Sequence, residues 1–271
     1  MAVIDVWAQQ PTKRFLAEPF FDSLKKWMGQ DLNEVPLEFT LQSMDAASVS
    51  KALISAWYGP QGDLISNEEV LELTQKYPDR FAGIASVDLR DPVAAVKTLR
   101  NYVTEHGFVA LRIVQWLWEL PCTHPLYYPL LTTCVELDIP ICLQVGHTGP
   151  LRSSESGRPL HIERIALDFP NLKIVCGHIG YPWHTEMIAV ATKFPNVYID
   201  TSAYVPKRYP TELVSYMKRH GKHKVMFGTN YPMLTPAACL EGLEDLGLSD
   251  EATELFLQGN ARRVFKLDAA A

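Results

Sequence analysis

A chain of 271 residues is long enough for one α/β barrel of typical size or for two ordinary domains. Hydrophobic residues at 47% and charged residues at 21% are ordinary globular values, which excludes a disordered chain. A net charge of −6 at pH 7 excludes the clustered basic surface that nucleic acid requires.

In chain order, short apolar runs alternate with segments of helical period. The candidate strands are VIDVW (3–7), KALISAW (51–57), FAGIASV (81–87), FVALRIV (108–114), IPICLQV (139–145), LKIVCG (172–177), NVYID (196–200) and KVMFG (224–228). Most are continuously apolar, as strands covered on both faces by helices should be. Between them lie amphipathic stretches such as NEEVLELTQKY (67–77) and DPVAAVKTLRNYVTEHG (91–107); the latter has Asp91 and Pro92 at N-cap and N1 positions and ends in Gly107. Eight strand–helix units imply parallel pairing and a single (β/α)8 barrel over residues 1–271. Residues 11–36, containing FFDSLKKWMG, read as an insertion after the first strand, with a helix over Phe20–Met28 at the barrel mouth. Residues 258–271 read as a closing helix and tail. The Gly-, Ser- and Pro-rich loop 147–159 follows the fifth strand and is expected to border a substrate site.

No apolar run approaches the roughly 18 residues of a membrane span, and the N-terminus has no basic segment followed by an apolar core. Cys122, Cys134, Cys142, Cys176 and Cys239 are widely spaced and lack a C-x-x-C pair, so they read as buried thiols of a reducing, cytoplasmic setting.

Catalytic side chains of a barrel stand at the C-terminal ends of its strands. That rule selects Trp7, Gln9, Trp57, Asp88, Arg112, His147, His178, Asp200 and Asn230. His147 and His178 can act as acid, base, substrate clamp or metal ligand, or simply pack as hydrogen-bonded histidines. Arg112 ends an apolar strand, where a buried guanidinium calls for an anionic partner, either a substrate carboxylate or a structural Asp or Glu. Asn230 can orient a substrate through its amide or serve as a turn residue. Trp7, Trp57, Trp183 and Tyr204 could line an aromatic pocket or belong to the core, and Arg152 in the long loop is a further substrate-binding candidate.

Five segments, NEEVLELTQKYPDRFAGIASVDLRDPVAAV, IVCGHIGYPW, FPNVYIDTSA, KVMFGTNYPM and FLQGNARRVFKL, together resemble the amidohydrolase-related family over nearly the whole chain. The branch resembled contains aminocarboxymuconate-semialdehyde decarboxylase, resorcylate-type decarboxylases and several lactonases. The resemblance implies a (β/α)8 barrel, often a homodimer in that family, acting on small cyclic or aromatic carboxylic acids. It also locates the departures. Where the family's first strand reads I-D-x-H-x-H, this chain reads IDVWAQ, with Trp7 and Gln9 in place of both histidines. Where the eighth strand carries Asp, this chain carries Asn230. His147 and His178 remain.

A catalytic zinc normally keeps three protein ligands. Gln9 and Asn230 offer only neutral amide oxygens and Trp7 offers nothing, so no zinc or other divalent metal is expected as cofactor. The reading is then a metal-independent enzyme with a small-molecule substrate and no nucleic-acid or membrane partner. His178, His147 and Asn230 would form the catalytic set, the two histidines titrating near neutrality. Arg112 would bind a carboxylate, Gln9 would orient the substrate and Trp7 would wall the pocket. Hydrolysis of an activated lactone is placed first and decarboxylation or cyclisation second. A barrel that binds a metabolite without turnover is the non-enzymatic rival.

Overall fold

The computed structural model describes residues 2–29 and 33–267. The parts of the expected insertion at 30–32 and of the C-terminal tail at 268–271 lie outside the described residues. Ten strands are present among the described residues: β1 (Val3–Ala8), β2 (Val49–Ser55), β3 (Trp57–Gly59), β4 (Gly62–Ile65), β5 (Phe81–Ala85), β6 (Ala110–Ile113), β7 (Ile141–Gln144), β8 (Ile174–Gly177), β9 (Val197–Asp200) and β10 (Val225–Met226). Eight form one sheet in the order β1-β2-β5-β6-β7-β8-β9-β10, with every pair parallel. The sheet closes on itself where β1 meets the segment after β10. Val6 N–H donates to Phe227 O (3.0 Å), Asn230 N–H to Trp7 O (2.7 Å), and Ala8 bridges Tyr231 in parallel. This is the (β/α)8 barrel that the alternating apolar runs predict. The hairpin β3–β4 is the addition; it is antiparallel and stands directly after the second barrel strand.

The helices begin where local chemistry starts them. Ser66 and Glu69 form a reciprocal capping box at Asn67–Lys76, and the Asp91 carboxylate caps Pro92–Thr104. One apolar cluster fills the space between strands and helices. A second joins Ile4, Val6, Trp7, Leu53, Ile84, Ala110, Cys142, Val175 and Met226 from seven of the barrel strands with Ala261, Val264 and Phe265 of the last helix (Asn260–Phe265). All five cysteines are free and buried. No helix among the described residues is long and apolar enough to cross a membrane.

Candidate active site

A cavity of about 740 Å³ opens at the C-terminal ends of the barrel strands, within the usual range for small-molecule sites. Its polar floor holds Gln9, Gln144, His178 and Asn230, which follow or end four different barrel strands. Its walls are apolar. Phe15 and Phe21 from the insertion meet Trp57 and Trp116 in a mutually edge-on aromatic group, with ring centroids 5.0 Å apart for Phe15–Trp57 and 6.2 Å for Trp57–Trp116. Such edge-to-face packing gives the cavity a rigid aromatic wall. Leu24 and Lys25, on the helix Asp22–Met28, and His147, Gly149, Pro150 and Leu151, from the long loop, border the mouth. Lys25 and Arg208 supply positive charge at the rim.

The floor is held by backbone geometry. After β8 the chain runs through His178, Ile179 and Gly180 with φ of +72°, +53° and +77°. Positive φ is costly for His and more so for β-branched Ile, and such strain persists where surrounding structure imposes it, often at functional sites. Asn230 also sits at φ +63°, a conformation that Asn tolerates well. Its side-chain amide donates to Met233 Sδ at 3.4 Å, and its Oδ1 accepts from Gln9 Nε2 at 3.2 Å. Gln9 Nε2 also donates to Tyr231 O, while Gln9 Oε1 is buried without a hydrogen-bond partner. The indole nitrogen of Trp57 is in the same position: on a cavity-lining side chain, buried and unpartnered.

His178 is anchored from behind. Its Nδ1 lies 2.6 Å from Ser202 Oγ, and that hydroxyl in turn donates to Asp200 Oδ1, which also accepts the Ser202 N–H at 2.9 Å. Asp200 Oδ2 is buried without a partner. Beneath the imidazole lies Trp7, with ring centroids 5.1 Å apart, and beneath Trp7 lies Arg112, its guanidinium carbon 3.9 Å from the indole centroid. Room for this indole comes from two glycines. A Cβ on Gly177 would stand 2.6 Å from Trp7 Cζ3, and one on Gly228 would stand 3.2 Å from Trp7 Cβ.

Burial sets the electrostatics. Desolvation, with the Arg112 charge second, pushes the His178 imidazole down to about 3. Desolvation raises the Asp200 carboxyl to about 6 and the Asp5 carboxyl to about 7, against the hydrogen bonds that each accepts. The expectation that His178 titrates near neutrality is therefore corrected. At pH 7 it is a neutral imidazole, and the groups poised near neutrality are two aspartates behind the floor.

Several candidate residues stand elsewhere than the sequence suggested. Arg112 is fully buried and does not reach the cavity, so it is not placed to clamp a substrate carboxylate. Its Nη1 and Nη2 donate to Ala8 O (3.3 Å) and Val6 O (3.2 Å), and its Nε has no partner. Trp7, 1% exposed, is a buried support under His178 rather than a wall. Trp183 stacks beneath Arg158, 5.4 Å from the guanidinium, outside the cavity. Arg152 pairs with Glu119 at 3.1 Å along a shallow groove beside the cavity. His147, Gln9, Trp57, Tyr204 and Asn230 do line it, together with His178. Sequence reasoning missed Trp116, Gln144 and Ser202. Ser202 could have been found as the residue two after a strand-end Asp, a spacing at which the side-chain oxygen accepts the backbone N–H.

Similar solved structures include an uncharacterised TIM-barrel protein from Bordetella bronchiseptica (TM-score 0.86, 23% identity, covering all of both chains). They also include a dihydroxybenzoic acid decarboxylase from Polaromonas sp. with bound manganese and the inhibitor 2-nitroresorcinol (TM-score 0.76, 19% identity, 99% of this chain and 97% of that one). The second corrects the expectation that no divalent metal belongs here, since a decarboxylase on the same barrel holds manganese. The donors that the corresponding positions of this chain offer at the cavity are His147, His178 and the amide oxygens of Gln9 and Asn230. Among the described residues no three His, Cys, Asp or Glu side chains group to hold an ion. That set does not match the three protein ligands usual for a catalytic site, and no chemical step below runs through a metal.

Among curated proteins, a gamma-resorcylate decarboxylase of Polaromonas sp. is 24% identical over 284 residues, spanning 88% of this chain and 86% of that protein. The family model described as Amidohydrolase matches residues 62–267, most of the chain and six of its eight barrel strands. With the closed barrel and its floor of strand-end side chains, that match places this enzyme in the amidohydrolase family.

Proposed function

We propose that the cavity binds a small aromatic carboxylic acid and removes its carboxyl group as CO2. The observation that carries the reading is one cavity lined both by the aromatic side chains of Phe15, Phe21, Trp57 and Trp116 and by one neutral imidazole and three amides. The gamma-resorcylate decarboxylase relatives support decarboxylation ahead of the lactone hydrolysis that the sequence placed first. Loss of CO2 from an aromatic carboxylate replaces a C–C bond by a C–H bond, so the site must deliver one proton to the ring carbon. A neutral His178 can take a proton from an acidic group of the substrate and return it to carbon as the carboxyl group leaves. Gln9 Oε1 and Trp57 Nε1, one acceptor and one donor on cavity-lining side chains, have no partner among the described residues. The rim cations Lys25 and Arg208 favour an anionic ligand.

The test is a panel of aromatic acids with and without ring hydroxyls, incubated with purified enzyme in the presence and absence of manganese. Acid consumption and released CO2 are followed together. The expected result is stoichiometric CO2 from at least one acid, with kcat reduced roughly 10²-fold or more in His178→Gln. Consumption without CO2, or turnover indifferent to His178→Gln, overturns the proposal.

A further inference from the structure

We propose that Ser202, backed by Asp200, is a positioning residue that fixes His178 as the Nδ1–H tautomer and so presents Nε2 to the cavity as a lone-pair acceptor. A hydroxyl has one proton to give. Ser202 gives it to the Asp200 carboxylate, and the same carboxylate oxygen accepts the Ser202 backbone N–H, which pins the side chain in place. The serine oxygen is then left as an acceptor, and the nitrogen 2.6 Å away, His178 Nδ1, must donate to it. In a neutral imidazole the other nitrogen carries no proton. Ser202 and Asp200 are both fully buried, and water does not compete for these bonds. The ring cannot easily turn over either. Trp7 packs against it at 5.1 Å, and the backbone that carries it is held at φ +72°.

The consequence is a polarity at the cavity floor. Until it has taken up a proton, the neutral His178 accepts at Nε2 and offers nothing there, so the ligand face opposite it must carry a donor, a hydroxyl or a protonated acid. A ligand presenting only acceptors there meets a lone pair. The role in turnover rests on the decarboxylation reading, whereas the tautomer itself does not.

The two are separated by reading them independently. Nitrogen-15 NMR of the free protein at pH 8, with His178 assigned by comparison with His178→Gln, reports which ring nitrogen is protonated. The native protein is expected to show a protonated Nδ1 and a bare Nε2. In Ser202→Ala the two nitrogens are expected to average, with kcat down roughly 10- to 100-fold, as for other supporting hydrogen bonds to functional histidines, and KM little changed. Ser202→Thr, which keeps the hydroxyl, should restore the native spectrum. A protonated Nε2 in the native protein, or an unaltered tautomer in Ser202→Ala, overturns the proposal. Averaged nitrogens in Ser202→Ala with no acid turned over by the native enzyme support the positioning role and count against the decarboxylase reading.

Discussion

The depressed titration of His178 has a thermodynamic cost that can be measured without a substrate. The imidazole is 5% exposed, and its folded ionisation is pushed down to about 3 by burial and by the Arg112 charge. In the unfolded chain it returns to about 6.5. Because the folded value lies below the unfolded one, the unfolded state binds the extra proton as pH falls. The contribution to stability is fully present above pH 6.5 and is lost as pH falls towards 3. At pH 5 the unfolded histidine is stabilised about thirtyfold by protonation while the folded one remains neutral, a loss of about 2 kcal/mol relative to pH 8. Below pH 3 the loss approaches about 5 kcal/mol, from roughly 1.36 kcal/mol for each of about 3.5 pH units. His178→Gln removes this contribution, while Asp5 and Asp200 are present in both chains and largely drop out of the difference. Urea unfolding of the two proteins at pH 8, 6.5 and 5 gives the comparison directly. The native protein should lose about 2 kcal/mol relative to the variant between pH 8 and pH 5. A difference constant to within about 0.5 kcal/mol across that range would refute the assignment of His178 as a buried neutral imidazole.

Asp5 should behave in the opposite sense. Its folded value, raised to about 7 from 3.8, makes native stability fall as pH rises from about 4 to 7. Asp5→Asn should therefore gain on the native protein by about 4 kcal/mol between pH 3.5 and pH 8 in the same urea assay. Gly177→Ala sets a methyl group 2.6 Å from the Trp7 ring and should cost about 1–3 kcal/mol. Adding Trp7→Leu to Gly177→Ala should recover part of that loss, and strict additivity in the double-mutant cycle would count against the packing described. Arg208→Ala should raise KM for an anionic substrate about tenfold, about 1.4 kcal/mol, with kcat unchanged, whereas an unchanged KM would remove Arg208 from the recognition of charge.

The alternation of buried apolar runs with capped amphipathic helices was enough to specify the barrel, because both devices are local. A strand covered on two faces reads as a continuous apolar run wherever it pairs, and Ser66 with Glu69 caps its helix from within one turn. The rule that barrel side chains act from strand ends also located His178, His147, Gln9 and Asn230 at one cavity. What the linear chain could not tell was direction and depth. Arg112 and His178 both stand at strand ends, yet one lies sealed beneath an indole and the other faces the cavity, because Gly177 and Gly228 leave a space that Trp7 fills. That His178 and not Arg112 lines the cavity, that its imidazole is held neutral and that it is linked to Ser202 and Asp200 all follow from that packing. They depend on residues as far as 171 positions from His178 in the chain and on a dielectric environment that exists only once the barrel has closed.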